Sequence, residues 1–580
     1  METSDEERPL ILPRPPQVLA ASEYASDGSV DINKLPALKR STGKWRACFL
    51  ILGVEFCECL AFFSISQNLV TYLTTVLHES KVTAARNVSA WVGSCFLTPL
   101  LGAFVADTYW GRYKTIAVFF PLYILAMAVL IASASLPIFS DDDHGGSGSS
   151  VHRSVVYIGI YLAAIGSGGV KPCTSAFGAD QFDTNDPDET VKKGSFFNWY
   201  YFMISTSSLL SGTLVVWLQD NVGWAVSYVI PTLLMLVCFP LFLAGSKMYR
   251  FRKMGASPLK SVLQVIVAAV SKWQMELPDD SSRLFELPSA AHRIKHTNEF
   301  KFFDKAAINI VTSDNNQVST TQPTSSSSWR LCTVTQAEEL KMLLRMLPVW
   351  ASFLAFYAVS SLMVPTLVEQ GMFMDNRVGS FAIPPASMSV VSSLSLLTWV
   401  PIYEAVLVPL ARRLTGNHKG ISPTLRLGIG QALCTLAMVY AAMLEAARLA
   451  VAEAQGLTDQ SVPVPMSILW QAPVYVLHGA AQVFGGIGVT EYFYDQAPRT
   501  MRSLCAALAN LAIASGSYIS SAVLAIVAVA TTRDGAPGWI PDNLNQGHLD
   551  YYYWTWAFLN LLSLALFLHY TIRHTGNISC

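Results

Sequence analysis

Charge is scarce in this chain: Asp, Glu, Lys and Arg make up only 14% of 580 residues, and the formal net charge is -1. A balance so near zero excludes a global attraction to nucleic acid, so any basic function must come from local clusters. Catalytic signatures are missing as well. There is no Gly-x-x-x-x-Gly-Lys phosphate loop, no His-Glu-x-x-His and no nucleophile elbow, so neither an enzyme activity nor a cofactor is expected. The opening residues Met1-Glu2-Thr3-Ser4-Asp5-Glu6-Glu7 lack the apolar core of a cleavable leader, which leaves the first apolar segment to direct insertion. Cys48, Cys57, Cys59, Cys95, Cys173, Cys238, Cys434 and Cys505 lie in or beside apolar segments, where cysteine behaves as a small hydrophobe, and no disulfide framework is implied.

What the chain has instead is apolar length. Hydrophobic residues reach 52% and the mean hydropathy is +0.38, the balance of a polytopic membrane protein. With about 20 predominantly apolar residues needed per crossing, segments fall near 47–74, 88–107, 115–136, 154–176, 196–219, 223–246, 343–368, 384–411, 423–450, 468–495, 502–530 and 550–572. The expected fold is all-α, with twelve transmembrane helices in two six-helix bundles. Its parts are a tail over 1–46, a first bundle over 47–247, a polar linker over 248–335, a second bundle over 336–573 and a tail over 574–580. The linker ends in Ser319-Thr320-Thr321-Gln322-Pro323-Thr324-Ser325-Ser326-Ser327-Ser328 and reads as partly disordered.

Basic residues cluster on alternate loops: Lys39, Arg40, Lys44 and Arg46; Arg112 and Lys114; Lys192 and Lys193; Lys247, Arg250, Arg252 and Lys253; Arg412, Arg413 and Lys419; Arg499 and Arg502. The positive-inside rule makes that side cytosolic, with both termini and the linker on it.

Two glutamates interrupt the first apolar segment, in Val54-Glu55-Phe56-Cys57-Glu58-Cys59. A carboxylate near the bilayer centre costs about 2.5–3.5 kcal/mol even on insertion scales, so a pair in one segment is a functional candidate. At i, i+3 both project from one helical face. Lys171, within Gly166-Ser167-Gly168-Gly169-Val170-Lys171-Pro172, is a second intramembrane charge. Its loosened backbone is expected to line a cavity.

Paired six-helix bundles joined by a cytosolic loop resemble the major facilitator superfamily, in which halves rock about a central site. Gly102-Ala103-Phe104-Val105-Ala106-Asp107-Thr108-Tyr109-Trp110-Gly111-Arg112 resembles that superfamily's loop signature. The resemblance implies that Asp107 and Arg112 help lock the cytosolic faces. More specifically, the chain resembles the proton-dependent oligopeptide transporters, and among them the plant nitrate and peptide transporter family, nearest to its di- and tripeptide subfamily. The likeness rests on Glu55-x-x-Glu58, the Lys171 string, Phe177-Gly178-Ala179-Asp180-Gln181-Phe182-Asp183, Phe196-Phe197-Asn198-Trp199-Tyr200, Glu491-Tyr492-Phe493-Tyr494-Asp495-Gln496-Ala497-Pro498 and Gly538-Trp539-Ile540-Pro541.

That resemblance implies proton coupling through Glu55 and Glu58, with the proton as coupling ion, and a substrate-facing Lys171. The chain departs from the pattern at three places. The family's Glu-x-x-Glu-Arg or Glu-x-x-Glu-Lys ends here in Cys59, which loses a permanent charge and a carboxylate-binding fork. The family glutamate that receives a peptide amino terminus is Gln482, so attraction for an ammonium group weakens. Ser360 stands where nitrate carriers have histidine and peptide carriers tend to have tyrosine, which argues against nitrate. His478, one turn before Gln482, offers either a protonation switch or a histidine satisfied by a neighbour. Tyr72 and Trp470 are candidate pocket aromatics. Glu404 and Glu491 are candidate gate residues or solvated edge positions.

The resulting expectation is a proton-coupled symporter of small organic solutes, di- and tripeptides first, embedded in a lipid bilayer and needing no cofactor. The alternatives are a carrier of a non-zwitterionic hormone or specialised metabolite, or a membrane receptor that has lost coupling. Glu6-Glu7-Arg8-Pro9-Leu10-Ile11 has the form of an acidic dileucine address, placing the chain in the plasma membrane or the vacuolar membrane.

Overall fold

A computed structural model describes residues 23–135, 147–183, 185–252, 258–278, 284–286, 294, 296–308, 329–415, 421–496, 502–532 and 538–575. With no water in the hydrocarbon zone, long apolar segments must satisfy their backbone groups internally, and helices do so. The helices are α1 Lys44–Thr75, α2 Lys81–Trp110, α3 Arg112–Ser135, α4 Ser147–Ala179, α5 over 187–221 and α6 Trp224–Met248. They continue with α7 Pro258–Ser271, α8 (Val334–Ser352 and Leu354–Met372), α9 Pro385–Leu414, α10 Pro423–Ala454, α11 Ile468–Phe493, α12 Arg502–Thr531 and α13 Leu549–Thr575. Among the described residues ten helices are long and apolar enough to cross a membrane, eleven when α8, bent by 45°, counts as one span. The twelfth expected segment forms α13, whose 27 residues reach about 40 Å. It falls outside that group because Asp550, Asn560 and His569 and the polar-tipped Tyr551, Tyr552, Tyr553, Trp554 and Trp556 dilute its hydropathy.

Local chemistry sets the helix ends. Ser80 caps α2 through the Thr83 amide, Thr333 and Gln336 form a reciprocal capping box on α8, and Ser422 caps α10 just before Pro423. Within α1 the helix breaks at Asn68, whose amide turns to Gln219 and Asp220 of α5, each at 3.1 Å.

Apolar side chains gather into two main cores, one built mostly from α1–α6 and one mostly from α8–α13. The halves meet toward the end opposite the basic loops. There Lys81 donates to the Asp542 carbonyl and lies 3.8 Å over the Phe373 ring. Ser94 meets Tyr518 at 2.8 Å, Ser208 meets Ser393 at 3.1 Å, and Ser521 donates to the Arg86 carbonyl at 3.0 Å. Toward the basic end, a cavity of about 1320 Å³ separates Tyr201, Phe202 and Ser205 of α5 from α9, α10 and α11. The major facilitator arrangement is thus held with the outer end closed and the basic end open.

Each half carries its own cap at its basic end. In the first half, Ser26 donates both its amide and its hydroxyl to Asp183 at 2.7 and 2.8 Å, Arg250 pairs with Glu189 at 2.7 Å, and Val30 bridges to Phe251. In the second, α7 and the turn Lys301–Ala307 dock on the start of α8. Buried Lys341 ties that dock together through Asp304 at 2.7 Å, Glu338 at 2.8 Å and the Thr297 carbonyl at 2.9 Å. The Ser-rich run over 319–328 and the dileucine string at 6–11 lie outside the described residues.

Two outcomes follow. Burial opposes the charge on Asp183, but the Ser26 and Asn185 amides, the Ser26 hydroxyl and Lys39 outweigh it and hold this carboxyl below its usual range. Glu189 behaves alike, burial being outweighed by Arg250, the Asp183 amide and Lys44. Depressed carboxyl groups stabilise the fold above their ordinary values and lose that contribution as pH falls. Melting in detergent should therefore drop as pH is lowered from about 5 toward 3, with a shallower drop in Asp183→Asn. Lys81→Ala removes a charged hydrogen bond and a cation–π contact, together about 1–2 kcal/mol, so distance measurements across the outer end should show the open population rising about 5- to 30-fold.

Candidate functional site

Glu55 and Glu58 are 2% and 0% exposed and face α4, as the i, i+3 spacing requires. On α4, Ser167, Lys171 and Thr174 recur at helical spacing and present one face to them. Thr174 donates to Glu55 at 2.5 Å, Ser167 donates to Glu58 at 2.7 Å, and the Lys171 ammonium lies 3.7 Å from Glu58. Phe62, one turn beyond Glu58, places its ring 3.4 Å under the same ammonium. Cys59 occupies the gap between the carboxylates, its sulfur 3.3 Å from Glu55 and 3.5 Å from Glu58. A thiol is a weak donor and carries no positive charge. The cluster therefore sets two buried carboxyl groups against one ammonium.

The glycines beside Lys171 do something other than the expected loosening. α4 runs unbroken through them and through Pro172. A Cβ on Gly102 would lie 2.1 Å from the Gly168 carbonyl, and one on Gly169 would strike the Phe119 ring. The small residues let α4 press into α2 and α3, which leaves its other face for the carboxylates.

In the second half, α11 widens into a single π-helical turn over Gln482–Gly486, a distortion frequent at functional positions. Gln482 donates to Ser360 of α8 at 2.8 Å and lies 3.1 Å from His478 Nε2. His478 Nδ1 meets Ser392 of α9 at 3.0 Å, so both ring nitrogens are occupied. Gln482, His478 and Ser360 thus form one uncharged polar wall. No hydrogen bond or ion pair among the described residues joins this wall to the carboxylate cluster.

Other candidates fall elsewhere. Tyr72 is 2% exposed in the first core, its ring packed edge-on against Trp224 at 4.8 Å, because α1 turns away from the site after Asn68. Trp470 is 57% exposed and lies twelve residues, about 18 Å of helix, before Gln482. Arg112 reaches Asp107 at 3.8 Å but bonds chiefly to Asp180 and the Ala176 carbonyl, all in the first half. Glu491 pairs with Arg426, which stacks 4.3 Å over Tyr403, all in the second half. The expected lock across the bundles is therefore unmade here, since the basic ends stand apart. The Glu404 side chain lies outside the described residues. Sequence reading missed Ser167, Thr174, Phe62 and Ser392. Of these, Ser167, Thr174 and Phe62 carry a faint signal, since each lies one turn from a charge on its own helix.

This arrangement is that of a multi-pass membrane transporter, and the chain belongs to the POT family, whose model matches residues 113–540. Two proteins of Arabidopsis thaliana are similar along almost the whole chain: Protein NRT1/ PTR FAMILY 8.3 is 46% identical, covering 95% of both chains, and Protein NRT1/ PTR FAMILY 8.5 is 45% identical, covering 96% of this chain and 94% of its own. The crystal structure of the POT family transporter PepTSo superposes with a TM-score of 0.67 at 20% identity, covering 92% of this chain and 99% of its own.

Ser167→Ala and Thr174→Val each leave a buried carboxylate one donor short. Each should lower the stability of the purified protein by about 1–3 kcal/mol, read as a shift in thermal unfolding, with the double variant less than additive.

Proposed function

We propose that this transporter is a proton-coupled symporter of small organic solutes working by alternating access, with di- and tripeptides as its first substrate class. The observation that carries this is the count of charges around α1: two buried carboxyl groups and a single ammonium. Such a cluster is uncharged only when one proton is bound, and burial makes the uncharged state the affordable one. A proton on Glu58 also loosens its hold on Lys171, which becomes free to receive a substrate carboxylate. Proton and acidic substrate then support each other's binding. Closing the basic end and opening the outer end, by rocking of the halves, would expose the same groups to the other side. Asp107 with Arg112 and Glu491 with Arg426 act as edge pairs that re-form partners during this motion.

A second reading is favoured by the wall of Gln482, Ser360 and His478. It offers hydrogen bonds but no carboxylate for a peptide's ammonium group, and Cys59 offers no fork for its far end. Both features suit a solute with one acidic group and no opposite charge. The positive-inside rule places both termini in the cytosol, and the membrane is the plasma or the vacuolar one.

The deciding measurement is proton current in oocytes at acidic pH. Saturable currents with a dipeptide panel support the first reading, and currents with carboxylic acids alone support the second. In either case Glu58→Gln should abolish coupled current and Lys171→Ala should weaken apparent affinity at least tenfold, about 1.4 kcal/mol or more. A chain whose bound solute produces no flux, with Glu58→Gln and Cys59→Arg changing nothing, is a receptor and overturns the proposal.

A further inference from the structure

Lys171 is held by something other than a hydrogen bond. Its ammonium lies 3.7 Å from a Glu58 oxygen, beyond hydrogen-bond range, and among the described residues it donates no hydrogen bond. The centre of the Phe62 ring is nearer, at 3.4 Å, and Phe96 places a second ring at 5.7 Å. A cation over a ring is drawn to the negative face of the π-system, the more strongly when water is excluded. Phe62 is 7% exposed, and at 3.4 Å no water fits between ring and ammonium.

The ring is also fixed in place. Phe62 follows Glu58 by four residues, so α1 presents carboxylate and ring on one face. Trp91 of α2 stacks on the ring at 5.8 Å and 22°, while Phe63 and Phe96 meet it edge-on at 5.4 and 6.4 Å. Trp91 is tied in turn, its indole N–H donating to the Ile160 carbonyl of α4 at 2.8 Å. An aliphatic side chain could fill this space without attracting the ammonium, so packing alone does not call for a ring face turned to the charge.

The ring matters most when Glu58 takes up a proton. The carboxylate pull on Lys171 is then lost, and an ammonium on a flexible four-carbon stem would swing away. The pull of the ring persists, because phenylalanine has no proton to gain. The ammonium stays where it is, and the 19% of the Lys171 side chain that is open remains for an incoming carboxylate.

We propose that Phe62 is a positioning residue for the coupled reaction: its ring face holds the Lys171 ammonium in register for the substrate carboxylate while Glu58 is protonated. This rests on the proton-coupled reading above and gives Phe62 no contact with the proton. Affinity for an acidic solute then depends on the electron density of a ring that the solute need not touch.

The test replaces Phe62 of the full chain, by nonsense suppression, with phenylalanines bearing one, two or three fluorines. Each fluorine withdraws electron density from the ring face and nearly preserves its shape, so packing is kept while the attraction falls stepwise. In oocytes, the dipeptide or carboxylic acid concentration giving half-maximal proton current should climb with each fluorine, to about 2- to 25-fold above the chain with phenylalanine reinserted. Maximal current per surface molecule should stay level. In the purified chain, acylation of Lys171 by a water-soluble N-hydroxysuccinimide ester, followed by mass spectrometry, should quicken along the same series as the ring loosens its hold. Half-saturation that stays flat overturns the proposal, as does a fall in maximal current alone, which marks the ring as packing. If the unaltered chain gives no solute-driven current, the proton-coupled reading itself fails, and the labelling series alone decides: rates that climb show that the ring holds the ammonium, and flat rates show that it does not.

Discussion

Everything in this molecule is arranged around one imbalance of charge: Glu55 and Glu58 are shut away from water with Lys171 as their one cationic neighbour. The hydroxyls of Ser167, Thr174 and Tyr200, a thiol and an aromatic ring line the cluster, and none of them carries charge. With both carboxyl groups ionised the cluster carries one net negative charge, which is what the proton binding proposed above would remove. The close approach of α4 to α2 and α3, which the glycines permit, holds the lysine beside the two carboxyl groups.

Four other ion pairs obey the opposite rule. Arg112 with Asp180, Arg426 with Glu491, Arg250 with Glu189 and Lys341 with Asp304 are each satisfied within one half. Separating the halves therefore strands none of them. What ties the halves together near the outer end is lighter: hydroxyl contacts and a lysine on a carbonyl. Strong pairs inside each body and weak ones between them suit rigid-body rocking, in which the interface re-forms while each body keeps its own packing.

Much of this was legible in the sequence for physical reasons. Lipid imposes a minimum length on every crossing, so the spans could be read from apolar runs, and the price of burying charge marked Glu55, Glu58 and Lys171. Ser167, Thr174 and Phe62 were only faintly legible, because serine, threonine and phenylalanine are ordinary in membrane helices and become special only through the register of α1 on α4. Tyr72 and Trp470 mislead for the same reason: most aromatics in such helices pack or face the boundary. The glycines near Lys171 were visible but ambiguous, since the same residues serve loosened backbone and close packing. Asp107, Arg112 and Glu491 stood out as charges at helix ends, whereas the partners Asp180 and Arg426 lie far from them in sequence and follow only from how the helices pack.

The linker, long as it is in sequence, is short mechanically. Phe251 is bridged to Val30 in the first half and α7 begins at Pro258 on the second, so the chain that joins the bodies on this side is the stretch between Arg252 and Pro258. Six peptide steps span at most about 22 Å. The halves are thus leashed: however widely the basic end gapes, those two points stay within that reach, and the limit would be unchanged if the serine-rich run further along were doubled.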